Sequence, residues 1–271
     1  MYGTKKRVLY VCSEMNPFIK LSSVADIARI LPEKIQQKDH EIRVLMPRFG
    51  LINERRNRLH EVVRLSGINI TIDDNDNPLT IKVASIPEAK MQVYFLDNAD
   101  FFQRKAAFKN EKEEFFADND ERVIFFCKGT LETVKKLGWA PDIIHCQGWM
   151  TSLIPMYMKT LYKDEPVFKN AKVVSSMFDN QFEEGLGKDF ARKASLNKIE
   201  DKHMTNFVNA NCMSMYKGAV SYSDAVVMHD DVHPEVLKMA GNLSIPSMRH
   251  SDEHLADTYS QFYEQLLSQR N

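Results

Sequence analysis

Two rhythms of apolar residues alternate along the chain. Short β-rich runs such as "RVLYVCSE" (7–14) and "EIRVLMPRF" (41–49) are apolar at consecutive positions, the pattern of strands covered on both faces. Between them Val24, Ile27, Ala28, Leu31 and Ile35 recur at helical spacing, and Pro32 is expected to kink or restart that helix. Strand, helix and strand within about 40 residues predict a βαβ unit with a right-handed crossover. Residues 51–100 read differently. "HEVVRLSGINITI", "LTIKVASI" and "MQVYFLD" alternate or run β-rich, separated by turn signals such as "DDNDNP", and predict strands that are partly antiparallel.

The helical rhythm returns at 119–138, where Asp118 or Asp120 can cap the start and Gly138 the end. A strand is expected at 141–148, a helix at 149–162 interrupted by Pro155, and a strand at 171–178. A mainly helical stretch at 202–223 precedes a strand at 224–230 and a short helix near 233–240. "GNLSIPSMRHSD" reads as loop. A terminal helix at 253–267 gathers Leu255, Tyr259, Phe262, Tyr263 and Leu266 on one side. The alternation predicts an α/β fold: a single Rossmann-like, doubly wound, mostly parallel sheet, with the terminal helix packing back on it. Repeats and low-complexity linkers are not visible. Residues 1–240 are expected to form the domain, and 241–271 a loop and helix that cover it.

Composition narrows the class. The 271 residues are 44% hydrophobic and 27% charged with a formal net charge of −1, so no global field recruits nucleic acid or an acidic membrane. No apolar run reaches about 18 residues. The four cysteines (Cys12, Cys127, Cys146, Cys212) lack metal spacing. A reducing compartment, the cytoplasm, is expected.

Candidate chemistry gathers where strands end. In "KLSSVADIARILP" (20–32) Lys20 stands between the first strand and its helix, the place where an α/β protein usually holds a phosphate. Ser22 and Ser23 occupy positions where glycines would be expected, which limits close backbone approach; Ser23 also suits an ordinary N-cap. Asp26 falls in the helix's first turn. His145, at a strand's carboxyl end, suits either a satisfied core histidine or a ligand contact. Glu183–Glu184 and "KNEKEEFF" (109–116) read as solvated charge. His229 and His233, four apart with Asp230 and Asp231 between, straddle a strand end and Pro234, so the two rings need not share a face and no metal site is expected. No cofactor is expected either.

The ordered motifs resemble those of bacterial glycogen synthases and plant starch synthases. "VLYVCSEMNPFIKLSSVADIARILPE" resembles a strand followed by S-E-x-x-P and K-x-G-G-L-A-D. "HEIRVLMPRFG" and "DNDERVIFF" resemble the next strand and helix. "PDIIHCQGWMTSLIP" resembles P-D-[IV]-[IV]-H-x-H-D-W-H-[TA]-x-L-x-P, and "YKGAVSYSDAVVMHDDVHPEV" resembles a later K-x-G-L-x-x-A-D segment. "ADTYSQFYEQLL" resembles the closing helix. The matches run in order from about residue 5 to 237. The resemblance implies one lobe of a two-lobe retaining glycosyltransferase that moves glucose from ADP-glucose to an α-1,4-glucan. It also implies that Lys20 reaches a donor phosphate. Ser22, Ser23, Asp26, His145, Gln147, Trp149 and Asp179 become candidate substrate contacts. It implies losses too: Gln147, Gly148 and Met150 stand for histidine, aspartate and histidine, and Phe178–Asp179 for His-Asn. Because Met150 stands for the family histidine at the reaction centre, no catalytic residue is assigned, and no second-lobe match is seen after about residue 240. The expectation is a degenerate lobe that binds glucan or a partner without turnover by itself. The alternative is an active glucosyltransferase whose missing half-site comes from an oligomer or another chain. Expected partners are ADP-glucose or an α-glucan, and a glycogen-metabolism enzyme or a second copy.

Overall fold

The computed structural model describes residues 5–179, 182–195, 199–229, 232–242 and 244–269. The strands, in chain order, are β1 (Arg7–Cys12), β2 (Glu41–Pro47), β3 (His60–Glu61), β4 (Ile68–Ile72), β5 (Asn75–Ile86), β6 (Met91–Asp97), β7 (Ile143–Gln147), β8 (Lys172–Met177), β9 (Ala225–Met228) and β10 (Ser247–Arg249). The helices are α1 (Val24–Gln36), α2 (Ala99–Phe102), α3 (Asn119–Leu137), α4 (Leu153–Lys159), α5 (Phe190–Ala194), α6 (Asp201–Met204), α7 (Cys212–Tyr222), α8 (Pro234–Gly241) and α9 (Leu255–Ser268).

Among the described residues one 10-stranded sheet runs in the order β10-β9-β8-β7-β1-β2-β6-β5-β3, with β4 on β5. From β10 to β6 every neighbour is parallel, and the β5 pairings are antiparallel. The α/β, mostly parallel sheet expected from the alternation is therefore present. β1 sits between β2 and β7, so the connection order reverses there. In such sheets the crevice for ligands opens beyond the carboxyl ends of the strands at that switch point. α1 packs on α9; α3 packs on α4, and α4 on α7. Residues on β1 and β7 alternate between the two layers: Tyr10 and His145 meet α9, whereas Cys146 faces Cys127 of α3.

The structure revises several expected elements. The run at 60–72 is two strands, β3 and β4, because Leu65 and Ser66 turn back onto the carbonyl of Val62 and Gly67 takes a left-handed φ of 81°. The "DDNDNP" signal is a tight hairpin, with Ile72 opposite Asn75. α1 passes unbroken through Pro32. The 202–223 stretch breaks at Ala210, which has φ 50°, into α6 and α7. The segment read as loop holds β10, an edge strand with one half-buried residue and two exposed, too polar to show an apolar signature. Asp118 makes no capping contact because Arg104 takes its carboxylate. α9, by contrast, buries all five residues of the expected stripe.

Candidate functional site

The crevice opens where the switch point requires it. A cleft of about 620 Å³ lies beyond β1 and β7, bounded by Ser13, Glu14, Ser22 and Trp149. The chain leaves β7 through Gly148, whose φ of 81° and ψ of 171° fall in a region almost restricted to glycine. Trp149 is thereby turned to the cleft wall, and Met150 goes the other way. Met150 is fully buried, and its carbonyl accepts the Cys127 thiol at 3.2 Å.

Glu14 organises the loop after β1. It is 2% exposed, and its carboxylate accepts the N–H groups of Leu21 (2.6 Å) and Ser22 (2.7 Å) and the Ser22 hydroxyl (2.6 Å). These are the amides that would greet an anion at the start of α1. Here the protein's own carboxylate occupies them. Ser22 Oγ in turn accepts the N–H of Val24 at 3.2 Å. Ser23, expected as a side-chain cap, makes no capping hydrogen bond: its own backbone is already helical, φ −63°, so the cap role passes to Ser22. Lys20 is exposed and donates to Asp26 at 2.6 Å; Asn16 donates to the other Asp26 oxygen. The loop therefore holds two adjacent sets of contacts, Lys20 and Asn16 on Asp26 and Ser22 on Glu14.

The cleft's other wall comes from segments expected to be merely solvated. Lys109, Glu113 and Phe115 of "KNEKEEFF" line it, as does Glu183, while Glu184 pairs with Lys109 at 2.7 Å. Four aromatic rings meet there. Phe108 lies 4.9 Å from Trp149, Trp149 4.5 Å from Phe182, and Phe182 stacks on Phe115 at 5.4 Å and 10°. Of the residues on these walls only Ser22 and Trp149 were among the sequence candidates; Glu14, Phe108, Phe115 and Phe182 were not. The available signals were a carboxylate at the end of a buried run and two phenylalanines closing a charged stretch.

His145 is not in the cleft. It is fully buried in β7, joined through Nδ1 to Tyr263 Oη at 2.6 Å and through Nε2 to Ser176 Oγ at 2.7 Å. Tyr263 also bonds Tyr10 at 3.1 Å. Both ring nitrogens are thus engaged inside the core. Burial pushes its pKa down to about 3, with His250 as a lesser cause. Gln147 is also fully buried, and neither of its amide atoms has a partner among the described residues. Asp179 is exposed just past β8. Phe178 is buried against His229, ring centroids 3.8 Å apart, and His229 stacks on His250 at 4.2 Å. Burial, then His250 and His145, drives the His229 pKa down to about 2. His233 instead accepts the Glu235 N–H at the start of α8. Asp230 and Asp231 lie outside the described residues. Among the described residues no three His, Cys, Asp or Glu converge to hold a metal ion. The four cysteines are free and buried.

Comparison with known proteins places this geometry. Residues 7–240 match the family described as the starch synthase catalytic domain. A glycogen synthase of Chlorobium luteolum is 40% identical over 185 residues, 66% of this chain and 37% of that protein. One of Pelodictyon phaeoclathratiforme is 34% identical over 256 residues, 93% of this chain and 51% of that protein. The chain thus spans between about a third and half the length of these relatives. Among solved structures, the catalytic domain of Starch Synthase IV from Arabidopsis thaliana, bound to ADP and acarbose, superposes with a TM-score of 0.68 at 20% identity, over 83% of this chain and 45% of that one, which supports the fold. Among the described residues no helix is long and apolar enough to cross a membrane.

Proposed function

Since the chain belongs to the starch synthase catalytic-domain family, we propose that it works in α-glucan metabolism by holding a glucan in this cleft without transferring glucose on its own. The observation that carries this reading is the cleft's chemistry. The half-buried rings of Phe108 and Phe115, backed by Trp149 and Phe182, offer apolar surface, and the exposed Glu113 and Glu183 offer acceptors for hydroxyl groups. Lys109, the cation on the same wall, already has Glu184. Rings and carboxylates suit a neutral polyhydroxylated ligand; the exposed carboxylates of Glu113 and Glu183 repel a nucleotide diphosphate.

Several features support the absence of turnover by this lobe. Glu14 fills the amides that would receive a phosphate, and Lys20 is engaged by Asp26. Met150 and Phe178, standing where the family has polar groups, are sunk into the core. His145 lies beneath α9 rather than at the cleft. A lobe acting alone also forgoes the orientation of donor and acceptor, worth about 7–11 kcal/mol of barrier when fully exploited. Residues 1–240 are the functional lobe in this reading and 241–271 its cover, and the cytoplasm is its compartment.

The second reading, an active ADP-glucose:α-1,4-glucan glucosyltransferase completed by another chain, draws on the exposure of the Lys20 ammonium beside the cleft. Candidate partners are a second copy or a glycogen-metabolism enzyme. Calorimetry of the purified chain with maltoheptaose, ADP and ADP-glucose separates the two, together with radiolabelled glucose transfer to glycogen. Maltoheptaose binding without transfer is the expected result. Transfer that vanishes in Lys20→Ala overturns it.

A further inference from the structure

The chain from the β2–β3 turn through β3 carries "NERRNRLHEVVR" (53–64), with Arg55, Arg56, Arg58 and Arg64 in twelve residues of a chain whose formal net charge is −1. Its backbone is fixed locally. Asn53 Oδ1 accepts the Arg56 N–H at 2.8 Å, Asn57 Nδ2 donates to the Asn53 carbonyl at 2.9 Å, and Arg58 adopts φ 54°. This folding points the arginines outward: Arg55, Arg56 and Arg58 are all exposed. Of the segment's two carboxylates, Glu54 is drawn inward to Arg48 and to Lys82, the latter at 2.6 Å, and Glu61 lies in β3, so neither pairs with these guanidiniums among the described residues. Among the described residues none of the four arginines makes an ion pair, whereas Arg48, Arg104 and Arg192 all do.

Arg56, Arg58 and His60 line a second cleft of about 660 Å³, as large as the first. Its wall is apolar where Phe18, Ile86 and Pro87 contribute, and Glu88 supplies one carboxylate. Two guanidiniums thus outweigh one acid. Guanidinium forks match phosphate oxygens in pairs, the volume is that of a small-molecule site, and the apolar wall can receive the uncharged remainder of a ligand.

We propose that this cleft binds a small phosphorylated molecule, an organic phosphate such as a mononucleotide. The site is separate from the glucan cleft and does not depend on that reading. The two are adjacent through the chain, however. Pro17 and Phe18 line the arginine cleft, and the same loop continues through Lys20 to Leu21 and Ser22 at the first cleft.

Calorimetry of the 271-residue chain with AMP, inorganic phosphate and adenosine tests this. AMP is expected to bind and adenosine not to. Arg56→Ser/Arg58→Ser should weaken AMP at least about tenfold, and Lys20→Ala less than about twofold. The charge-preserving Arg56→Lys/Arg58→Lys should still lose part of the affinity, and serves as the test if the serine variant misfolds. Equal binding of adenosine, no heat from AMP up to about 10 mM, unchanged affinity in both arginine variants, or loss in Lys20→Ala would each overturn the proposal. Glucan binding by the arginine variants reports separately on the first cleft.

Discussion

Two neighbouring parts of the sheet began with the same kind of position and diverged. Beyond β1 and β7 the chain leaves a cleft walled by Glu14, Glu183 and four aromatic rings. Over β7, β8 and β9 the comparable ground is closed. His145 is locked to Tyr263 and Ser176, and His229 is sandwiched between Phe178 and His250. Both regions hold polar side chains near strand ends. What separates them is the covering element: among the described residues no helix lies over the first, whereas α9 and the segment after β10 lie over the second. A polar residue at a switch point is thus a candidate only while it remains uncovered. Once a tyrosine from a returning helix satisfies it, the same histidine becomes a structural fastener.

The contrast can be broken most forcefully at the fastener. Tyr263→Ala removes a buried aromatic ring and leaves Tyr10 Oη and His145 Nδ1 without their partner; a loss of about 3–5 kcal/mol in urea unfolding is expected. A variant as stable as the parent would mean that α9 does not seal this side. Protonation attacks the same place. His145 and His229 are held neutral, at about 3 and about 2, against an ordinary value of 6.5. The unfolded chain therefore binds more protons than the folded one below pH about 6.5. Stability is fully present above that pH and declines as pH falls towards the folded values. Each histidine contributes about 1.4 kcal/mol per pH unit within the window. Urea midpoints from pH 7.5 to 5 should fall accordingly, and His229→Phe should flatten the slope; an unchanged slope in that variant would exonerate His229.

The open side should respond in binding rather than stability. Phe115, half-buried and stacked on Phe182, can be cut to alanine with little change in melting temperature. Maltoheptaose affinity should drop about tenfold, or about 1.4 kcal/mol. Full retention of affinity would remove the aromatic wall from the site. The smallest effect belongs to Lys20. Its pair with Asp26 is 55% and 42% exposed, so Lys20→Ala should shift stability by less than about 1 kcal/mol. A larger loss, read by the same unfolding curves, would show the loop network to be more tightly coupled than its exposure implies.

The apolar rhythm makes most of the sheet legible in the sequence. β1, β2, β6, β7 and β8 are buried runs whose side chains face helices on both sides, and such runs announce themselves. The stripe on α9 was equally plain, because Leu255, Tyr259 and Phe262 keep helical spacing. β10 was not legible, since an edge strand of three residues buries too little to bias its composition. The loop chemistry was half legible. Lys20 and Ser22 could be placed by their position after a strand, but Glu14 could not, because only folding brings its carboxylate onto the amides of residues seven and eight further on. The segments around Phe115 and Glu183 are 68 positions apart in number yet share a wall, a proximity that local sequence does not encode.

The carboxylate of Glu14 has one more consequence. By sitting where an incoming anion would sit, it acts as a resident stand-in for the guest and keeps the start of α1 ordered while the pocket is empty. The amide hydrogens of Leu21 and Ser22 should therefore exchange slowly with solvent deuterium in the unliganded chain. A visiting phosphate would have to evict a tenant rather than fill a vacancy.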